Sequence, residues 1–175
     1  SYEEMLKDDG IDLVYVATPH SHHAEHMKLC LEHGRAILCE KAFTGNARQA
    51  EEVLALAKEK GMKVCLDLAS YNIVAADHEF FTRLVTEYVD VVFANEEEAK
   101  AFAGTEPEVA LEHLSSLCEV AIVKIGAQGS YVARGSEKVL AEAWPVAKVL
   151  DTTAAGDFYA AGVMYGLMRD YNLQQ

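Results

Sequence analysis

The residue types best suited to chemistry lie near the end of the chain, in the run DTTAAGDFYAAG at 151–162. Its pattern predicts the start of a helix, where backbone N–H groups without intrahelical partners bind anions such as phosphate. Asp157 falls in the predicted first turn, where its carboxylate could act as a general base toward an acceptor hydroxyl. The simpler interpretation is an acid stabilised by the helix dipole. The backbone groups predicted to hold the phosphate belong to Thr153, Ala154, Ala155, Gly156 and Asp157.

Length and composition are those of an ordinary globular protein. The chain has 175 residues, 51% hydrophobic and 25% charged, and this length is typical of one domain. The net charge of -13 would repel nucleic-acid phosphates and anionic lipid surfaces, so we expect neither nucleic acid nor a membrane as a partner. The first residues, SYEEMLKDDG, have neither the positive start nor the apolar core of an export sequence, and we expect a cytoplasmic protein.

Cysteine and histidine spacing gives little sign of a metal site. His22 and His23 lie four and three residues before His26, a spacing that can chelate a metal from one helix. No third ligand can be assigned, so we expect surface histidines at a helix start and no metal. The cysteines form no C-x-x-C pair, and we expect all four to be reduced and buried. They are Cys30, Cys39, Cys65 and Cys118.

Short β-branched runs alternate with stretches of helical period, which is typical of parallel strands joined by crossover helices. We predict strands at 12–18, 36–40, 63–70, 89–95 and 120–126. We predict helices from Ser21 to Gly34 and at 46–61, 76–88, 96–103, 107–117 and 154–169. The run GSYVARGSEKVLAEA alternates with period two, which predicts an antiparallel hairpin at the sheet edge.

Two family resemblances cover different parts of the chain. Residues 1 to about 60 resemble the Gfo/Idh/MocA family of NAD(P)-dependent oxidoreductases, through VYVATPHSHHAEH and LCEKAF. Residues from about 61 to 175 resemble the ribokinase/PfkB family of sugar and nucleoside kinases, through KVCLDLASYN, FANEEEAKAFAG, VKIGAQGS and DTTAAGDFYAAG. The expected fold is a three-layer, Rossmann-like (ribokinase-like) α/β structure. It has a mostly parallel sheet with helices on both faces and an antiparallel edge hairpin.

The kinase resemblance implies roles for further residues. Asn95 and Glu98 match the family's Asn-x-x-Glu, which organises Mg²⁺ and phosphates through water. Helix capping by Asn95 beside a solvated Glu98 is the simpler alternative. Ala154 stands where the family usually has Gly, and its Cβ restricts φ and obstructs close approach of a phosphate. The other residues implied for nucleotide or phosphate binding are Lys124, Gly126 and Gly129.

The oxidoreductase resemblance implies only a remnant of a site. Ala42 replaces the usual Pro, so the rigid turn is lost, and no G-x-G-x-x-G is present to receive a dinucleotide. Lys41 matches a lysine near the nicotinamide in that family, but here we expect a charged residue at a strand end. Thr18 and Pro19 are expected to form a strand-to-helix turn without a ligand. The remnant residues are Thr18, Pro19, Glu40 and Lys41.

Neither family is present whole, because parts that each reaction needs are missing from the sequence. We therefore expect an engineered or recombined chimera, made by recombinant expression and folded as one α/β domain over 1–175 on a single sheet. Its purpose would be structural, with no activity, no cofactor and Asp157 as a vestigial base. The alternative is a residual ATP- and Mg²⁺-dependent sugar or nucleoside kinase, or a weak nucleotide- or phosphate-binding module. An exposed edge beside 12–18 offers a route to oligomers.

Overall fold

The computed structural model describes residues 1–174. The chain divides into two compact units, an N-terminal unit, Ser1–Val64, and a C-terminal unit that begins at Cys65. Within the described residues each unit contains its own sheet, with two strands in the first and five in the second. The expectation of a single sheet is therefore wrong. Hydrophobic runs identify strands, but they do not specify which strands pair.

The N-terminal unit packs its helices on one face of a two-stranded parallel sheet. Its elements are α1 (Tyr2–Met5), β1 (Leu13–Val16), α2 (His20–Glu32), β2 (Ala36–Cys39) and α3 (Ala47–Glu59). Val16, Met27 and Val53 are buried in its core, whereas Leu13 and Tyr15 alternate with the core positions and are exposed. Within residues 1–174, β1 pairs with β2 and with no other strand, as the predicted edge requires. An oligomer through this edge stays a prediction.

Helix ends in the N-terminal unit follow local sequence signals. Asn46 caps α3, since its Oδ1 accepts a hydrogen bond from the Gln49 backbone N–H at 3.0 Å. The Gln49 side chain accepts in turn from the Gly45 N–H at 3.0 Å. The helix predicted to start at Ser21 begins one residue earlier, because Pro19 is its N-cap and Ser21 lies inside α2. A proline just before a helix costs nothing there, since the first N–H groups have no intrahelical partner.

The C-terminal unit carries the predicted mostly parallel sheet. Its strands are β3 (Cys65–Asp67), β4 (Val91–Asn95), β5 (Val120–Lys124), β6 (Ser130–Arg134) and β7 (Glu137–Ala141), in that spatial order. Its helices are α4 (Tyr71–Ala76), α5 (His78–Tyr88), α6 (Glu96–Ala103), α7 (Pro107–Ser115) and α8 (Ala155–Met168). β3, β4 and β5 are parallel, and β6 and β7 form the antiparallel edge hairpin. This fold class is confirmed.

Helices cover both faces of the five-stranded sheet. Phe93 and Ile122 belong to a buried cluster against which the Tyr159 and Val163 side chains of α8 pack. The alternate positions of β4 and β5 are also fully buried, and α6 and α7 contact these strands. Parallel strands buried on both faces read as continuous apolar runs, as they do here.

The helix α8 is apolar on its outer side as well as its inner side. Its inner side is held to β6 by a hydrogen bond between Tyr159 OH and the buried Ser130 Oγ, 2.6 Å apart. On its outer side Phe158, Tyr165 and Met168 are 78%, 54% and 84% exposed. None of the helices in residues 1–174 is long and apolar enough to cross a membrane.

The cysteines differ in their surroundings. All four are free, but only Cys30 is buried, while Cys65 is exposed. The expectation of four buried thiols is therefore wrong. Cys65 is exposed because it shares the exposed face of β3 with Asp67, whereas Leu66 between them lies on the partly buried face. Burial raises the pKa of the partly buried Cys118 thiol to about 11.

Candidate functional site

Polar side chains meet where three neighbouring parallel strands of the C-terminal unit end. Asp67 is the last residue of β3, Asn95 of β4 and Lys124 of β5. Asn95 lies directly opposite Lys124 in the strand register. Open α/β sheets bind ligands at this carboxyl edge. We refer to Asp67, Asn95 and Lys124 as the strand-end cluster.

An ion pair joins two members of this cluster. The Lys124 Nζ donates to Asp67 Oδ2 at 2.8 Å, and the two side chains are 20% and 37% exposed. Lys124 was a predicted site residue, but sequence reasoning missed Asp67. The signal available was its position at the end of the apolar run KVCLD, next to the strand that ends at Asn95. The pairing itself joins residues 57 apart and depends on strand order.

Asn95 and Glu98 form a complete capping box at the start of α6. Asn95 Oδ1 accepts from the Glu98 N–H at 2.9 Å. The Glu98 carboxylate accepts from the Asn95 backbone N–H and from Asn95 Nδ2, each at 2.8 Å. The predicted cap is confirmed, but the expected solvated Glu98 is wrong. Its side chain is 4% exposed, because it folds back over the helix start.

The burial of Glu98 changes its acidity. Burial is the main cause that raises the pKa of its carboxyl above the usual value, and the negative charge of Asp67 adds to the effect. The Asn95 backbone hydrogen bond and the positive charge of Lys124 oppose it. Glu98 is therefore electrostatically linked to both partners of the ion pair.

The predicted anion-binding turn lies immediately before α8. Asp151 Oδ1 accepts from the Thr153 N–H at 2.8 Å, and the Ala155 N–H donates to Thr152 O at 3.1 Å. Hydrogen bonds from Thr153 lower the pKa of Asp151. Ala154 then adopts a left-handed conformation, with φ of 61° and ψ of 9°. This tight turn sends the chain into the helix without a side-chain cap.

Lys124 and the first turn of α8 are brought together. A Cβ built on Gly156 would lie 3.6 Å from the Lys124 Nζ. Asp157 follows in the same first turn and is exposed. First-turn N–H groups lack intrahelical acceptors and carry the positive end of the helix dipole. The ammonium and the helix start thus form one positive region beside an accessible carboxylate.

The strain at Ala154 leads to a prediction about stability. A non-glycine residue with positive φ costs about 1 kcal/mol, which Gly avoids. We expect Ala154→Gly to raise the free energy of unfolding by about 0.5 to 1 kcal/mol, measured by urea denaturation. Ala155→Gly is the matched control and should lower it, since Ala155 is already helical. A lower free energy of unfolding in Ala154→Gly would contradict the inference that the backbone is strained at Ala154.

Gly126 and Gly129 lie in the connection between β5 and β6. Gly126 opens a short 3-10 helix, Gly126–Gln128, with φ of 58°. Gly129 has φ of 109°, and a Cβ there would lie 1.9 Å from the Ala141 carbonyl oxygen. The structure thus gives Gly129 a packing role against the end of β7. A role in binding nucleotide stays a prediction for both glycines.

Comparison with known proteins bears directly on this site. The model of the pfkB family carbohydrate kinases matches residues 21–175. The chain belongs to the pfkB family. The match includes the strand-end cluster and the predicted anion-binding turn, and it begins inside α2.

Solved structures of kinases share the fold of this chain. Adenosine kinase from Sinorhizobium meliloti superposes with a TM-score of 0.67 and 36% identity, covering 73% of this chain and 40% of that one. A probable sugar kinase from Rhizobium etli superposes with a TM-score of 0.73 and 27% identity, covering 84% and 46%. The chain thus spans less than half the length of these two kinases.

Part of the N-terminal unit is similar to oxidoreductases. D-xylose 1-dehydrogenase (NADP(+)) from Hypocrea jecorina is 53% identical over 60 residues, which are 34% of this chain and 15% of that protein. Both resemblances inferred from the sequence are therefore confirmed. The expectation of an engineered chain without catalytic function is wrong, because the pfkB match and the kinase structures support the kinase alternative.

The oxidoreductase-like residues are engaged in local contacts. Thr18 Oγ1 lies 2.9 Å from His26 Nδ1, and Pro19 precedes the first residue of α2. Glu40 accepts from Tyr15 OH and, at 3.1 Å, from the backbone N–H of Lys41. The Tyr15 hydrogen bond is the main cause that lowers the pKa of Glu40. Any cofactor role for these residues stays a prediction.

One histidine differs from expectation. His23 was expected at the surface, but its side chain is fully buried. Its Nδ1 lies 2.9 Å from Ala42 O and its Nε2 2.7 Å from Thr18 O. Because the ring bridges two backbone segments, it tethers the start of α2 to the turn after β2. This is a structural role that helical spacing alone did not indicate.

Proposed function

We propose that the C-terminal unit carries the phosphoryl-transfer centre of an ATP- and Mg²⁺-dependent sugar or nucleoside kinase. The observation that carries the proposal is the placement of the Lys124 ammonium beside Gly156, at the helix turn that bears Asp157. Phosphoryl transfer depends on positioning and on stabilising charge on the transferred group. An ammonium, first-turn N–H groups and an accessible carboxylate are the groups that this reaction uses.

Each group has a distinct task in the proposed reaction. The backbone N–H groups of Ala154, Gly156 and Asp157 bind the transferred phosphate, whereas those of Thr153 and Ala155 donate within the turn and hold its shape. Lys124 donates to phosphate oxygens and offsets their charge. Asp157 accepts the proton of the acceptor hydroxyl as that oxygen attacks the γ-phosphorus, and the bond from this phosphorus to the bridging oxygen breaks, so that ADP leaves. The connection containing Gly126 and Gly129 lines the nucleotide side.

Asn95 and Glu98 supply the kind of oxygen ligands that suit Mg²⁺. Both Glu98 oxygens already accept hydrogen bonds from Asn95, so contact through water fits this pair better than direct ligation. When bound, Mg²⁺ neutralises phosphate charge. The capping box fixes the start of α6 at the end of β4. Because Asn95 lies opposite Lys124 in the sheet, the proposed Mg²⁺ ligands keep a constant position relative to Lys124.

The proposal is tested by binding and by turnover. Calorimetry with ATP and Mg²⁺ should show saturable binding, with NAD⁺ and NADP⁺ as comparison ligands. Transfer of phosphate from ATP is then measured with ribose and with adenosine as acceptors. ATP binding without transfer would assign the chain to the alternative, a nucleotide- or phosphate-binding module. Absence of ATP binding would contradict both.

A glycine in the first turn of α8 gives a sharper test. We expect Gly156→Ala to weaken ATP binding by about tenfold or more, because its methyl group would lie 3.6 Å from the Lys124 Nζ and would crowd a phosphate bound by that ammonium. The same change should leave the fold intact, since 3.6 Å is an ordinary contact distance. Calorimetric titration with ATP measures the effect.

The matched control for this test lies in the same helix. Gly162 is exposed, and a Cβ there would meet nothing within 4 Å. Gly162→Ala should therefore raise helix stability by up to about 1 kcal/mol and leave ATP affinity unchanged. Equal affinity in the two alanine variants would show that the Gly156 position does not face the phosphate.

A further inference from the structure

The carboxylate of Asp67 is fixed at both oxygens. Its Oδ1 accepts from the Ala69 N–H at 2.9 Å, in a turn where Ala69 has φ of 59°. Its Oδ2 accepts from Lys124 Nζ at 2.8 Å. The backbone turn therefore holds the carboxylate in one orientation, and Lys124 is bonded to a rigid partner instead of a mobile one.

The position of Lys124 needs such a partner. The positive end of a helix dipole repels a cation, and the Lys124 Nζ lies beside the first turn of α8. Without a counter-charge, a long flexible lysine would turn toward solvent. Asp67 offsets the repulsion, and it uses only one of the three N–H donors of the ammonium. The remaining donors suit an additional anionic acceptor.

We propose that Asp67 is a positioning residue, which holds the Lys124 ammonium at the anion-binding turn so that it is preorganised for the nucleotide phosphates. This inference rests on the proposed function of the same site. Asp67 acts through Lys124 and does not itself touch the phosphate. Without Asp67 the ammonium is still present but is no longer held in place. ATP binding must then order the Lys124 side chain, which makes the binding free energy less favourable.

The test is a double-mutant cycle on ATP affinity, measured by calorimetry on the full chain with Mg²⁺. Asp67→Asn keeps the oxygen that accepts from the Ala69 N–H and removes only the charge. We expect it to weaken ATP binding by about fivefold, the cost of immobilising one long side chain. In a Lys124→Met background the same change should have no further effect. Asp67→Glu should restore much of the affinity.

A control pair separates positioning from general charge effects. Lys138 Nζ and Glu112 Oε1 form another ion pair in the same unit, at 2.6 Å. Glu112→Gln makes the same change in net charge and should leave ATP affinity unaltered. Thermal melts verify that each variant is folded. If Asp67→Asn unfolds, Asp67→Ser replaces it in the cycle, because a serine hydroxyl can also accept from the Ala69 N–H but carries no charge.

The outcomes distinguish the two proposals. If the unsubstituted chain does not bind ATP, the proposed function fails and this inference fails with it. If the chain binds ATP but the Asp67 variants bind it equally well, only the positioning role is overturned. An effect of Asp67→Asn that persists in the Lys124→Met background also overturns it, because Asp67 would then act independently of Lys124.

Discussion

Asp157→Asn is expected to lower kcat for phosphoryl transfer from ATP by about 10²- to 10⁴-fold, the usual contribution of a general base. The amide has nearly the same size as the carboxylate but cannot take a proton. Asp157 is exposed in the first turn of α8, so an acceptor hydroxyl can reach it. ATP binding should be retained, because the backbone N–H groups and Lys124 are untouched.

Steady-state kinetics with ribose or adenosine, whichever is the better acceptor, measure the change in kcat. Calorimetry with ATP measures the affinity separately. Asp170→Asn is the matched control, since Asp170 is also exposed and follows the other end of α8. Asn tolerates its left-handed φ of 54°, so this control should fold and turn over normally. Unchanged turnover in Asp157→Asn would show that Asp157 is not the general base.

Gly129→Ala is expected to destabilise the C-terminal unit by about 3 to 4 kcal/mol. The added Cβ would lie 1.9 Å from the Ala141 carbonyl oxygen and 2.8 Å from the Ala143 nitrogen, and both are backbone atoms that cannot rotate away. The φ of 109° adds further strain for any residue with a Cβ. The end of β7 must therefore separate from β6.

Urea denaturation followed by circular dichroism measures the loss. Gly135→Ala is the control, since Gly135 also has a positive φ, 59°, but a Cβ there meets nothing within 4 Å. Gly135→Ala should lower the free energy of unfolding by only about 1 kcal/mol, which is the cost of the positive φ alone. Similar losses in both variants would mean that the close approach at Gly129 relaxes without cost.

The sequence predicted best those features that depend on neighbouring residues. The caps at Asn46 and Asn95 were predictable because a side chain three residues from its partner has few alternatives. The hairpin of β6 and β7 followed from alternation around Gly135 for the same reason. The strand runs were also located correctly, although the structure trims them at their ends.

Features that depend on tertiary structure were missed or misjudged. The Asp67–Lys124 pair requires knowledge that β3 and β5 flank β4, which no local pattern contains. The burial of Glu98 depends on its folding back onto Asn95, and a glutamate in a first turn is ordinarily solvated. The inference of an inactive chimera was based on segments missing from the sequence. The structure instead brings Lys124 close to the first turn of α8, which carries Asp157, and these groups support the proposed function.

The apolar outer side of α8 has a consequence for handling the protein. Copies of a chain with net charge -13 repel one another, and this repulsion keeps the exposed Phe158 and Met168 side chains of different copies apart. At 0.1 M salt that repulsion reaches only about 10 Å, and it shortens further as salt is added. Colloidal stability should therefore be greatest in dilute buffer and fall with ionic strength, the opposite of a protein kept dispersed by a wholly polar exterior.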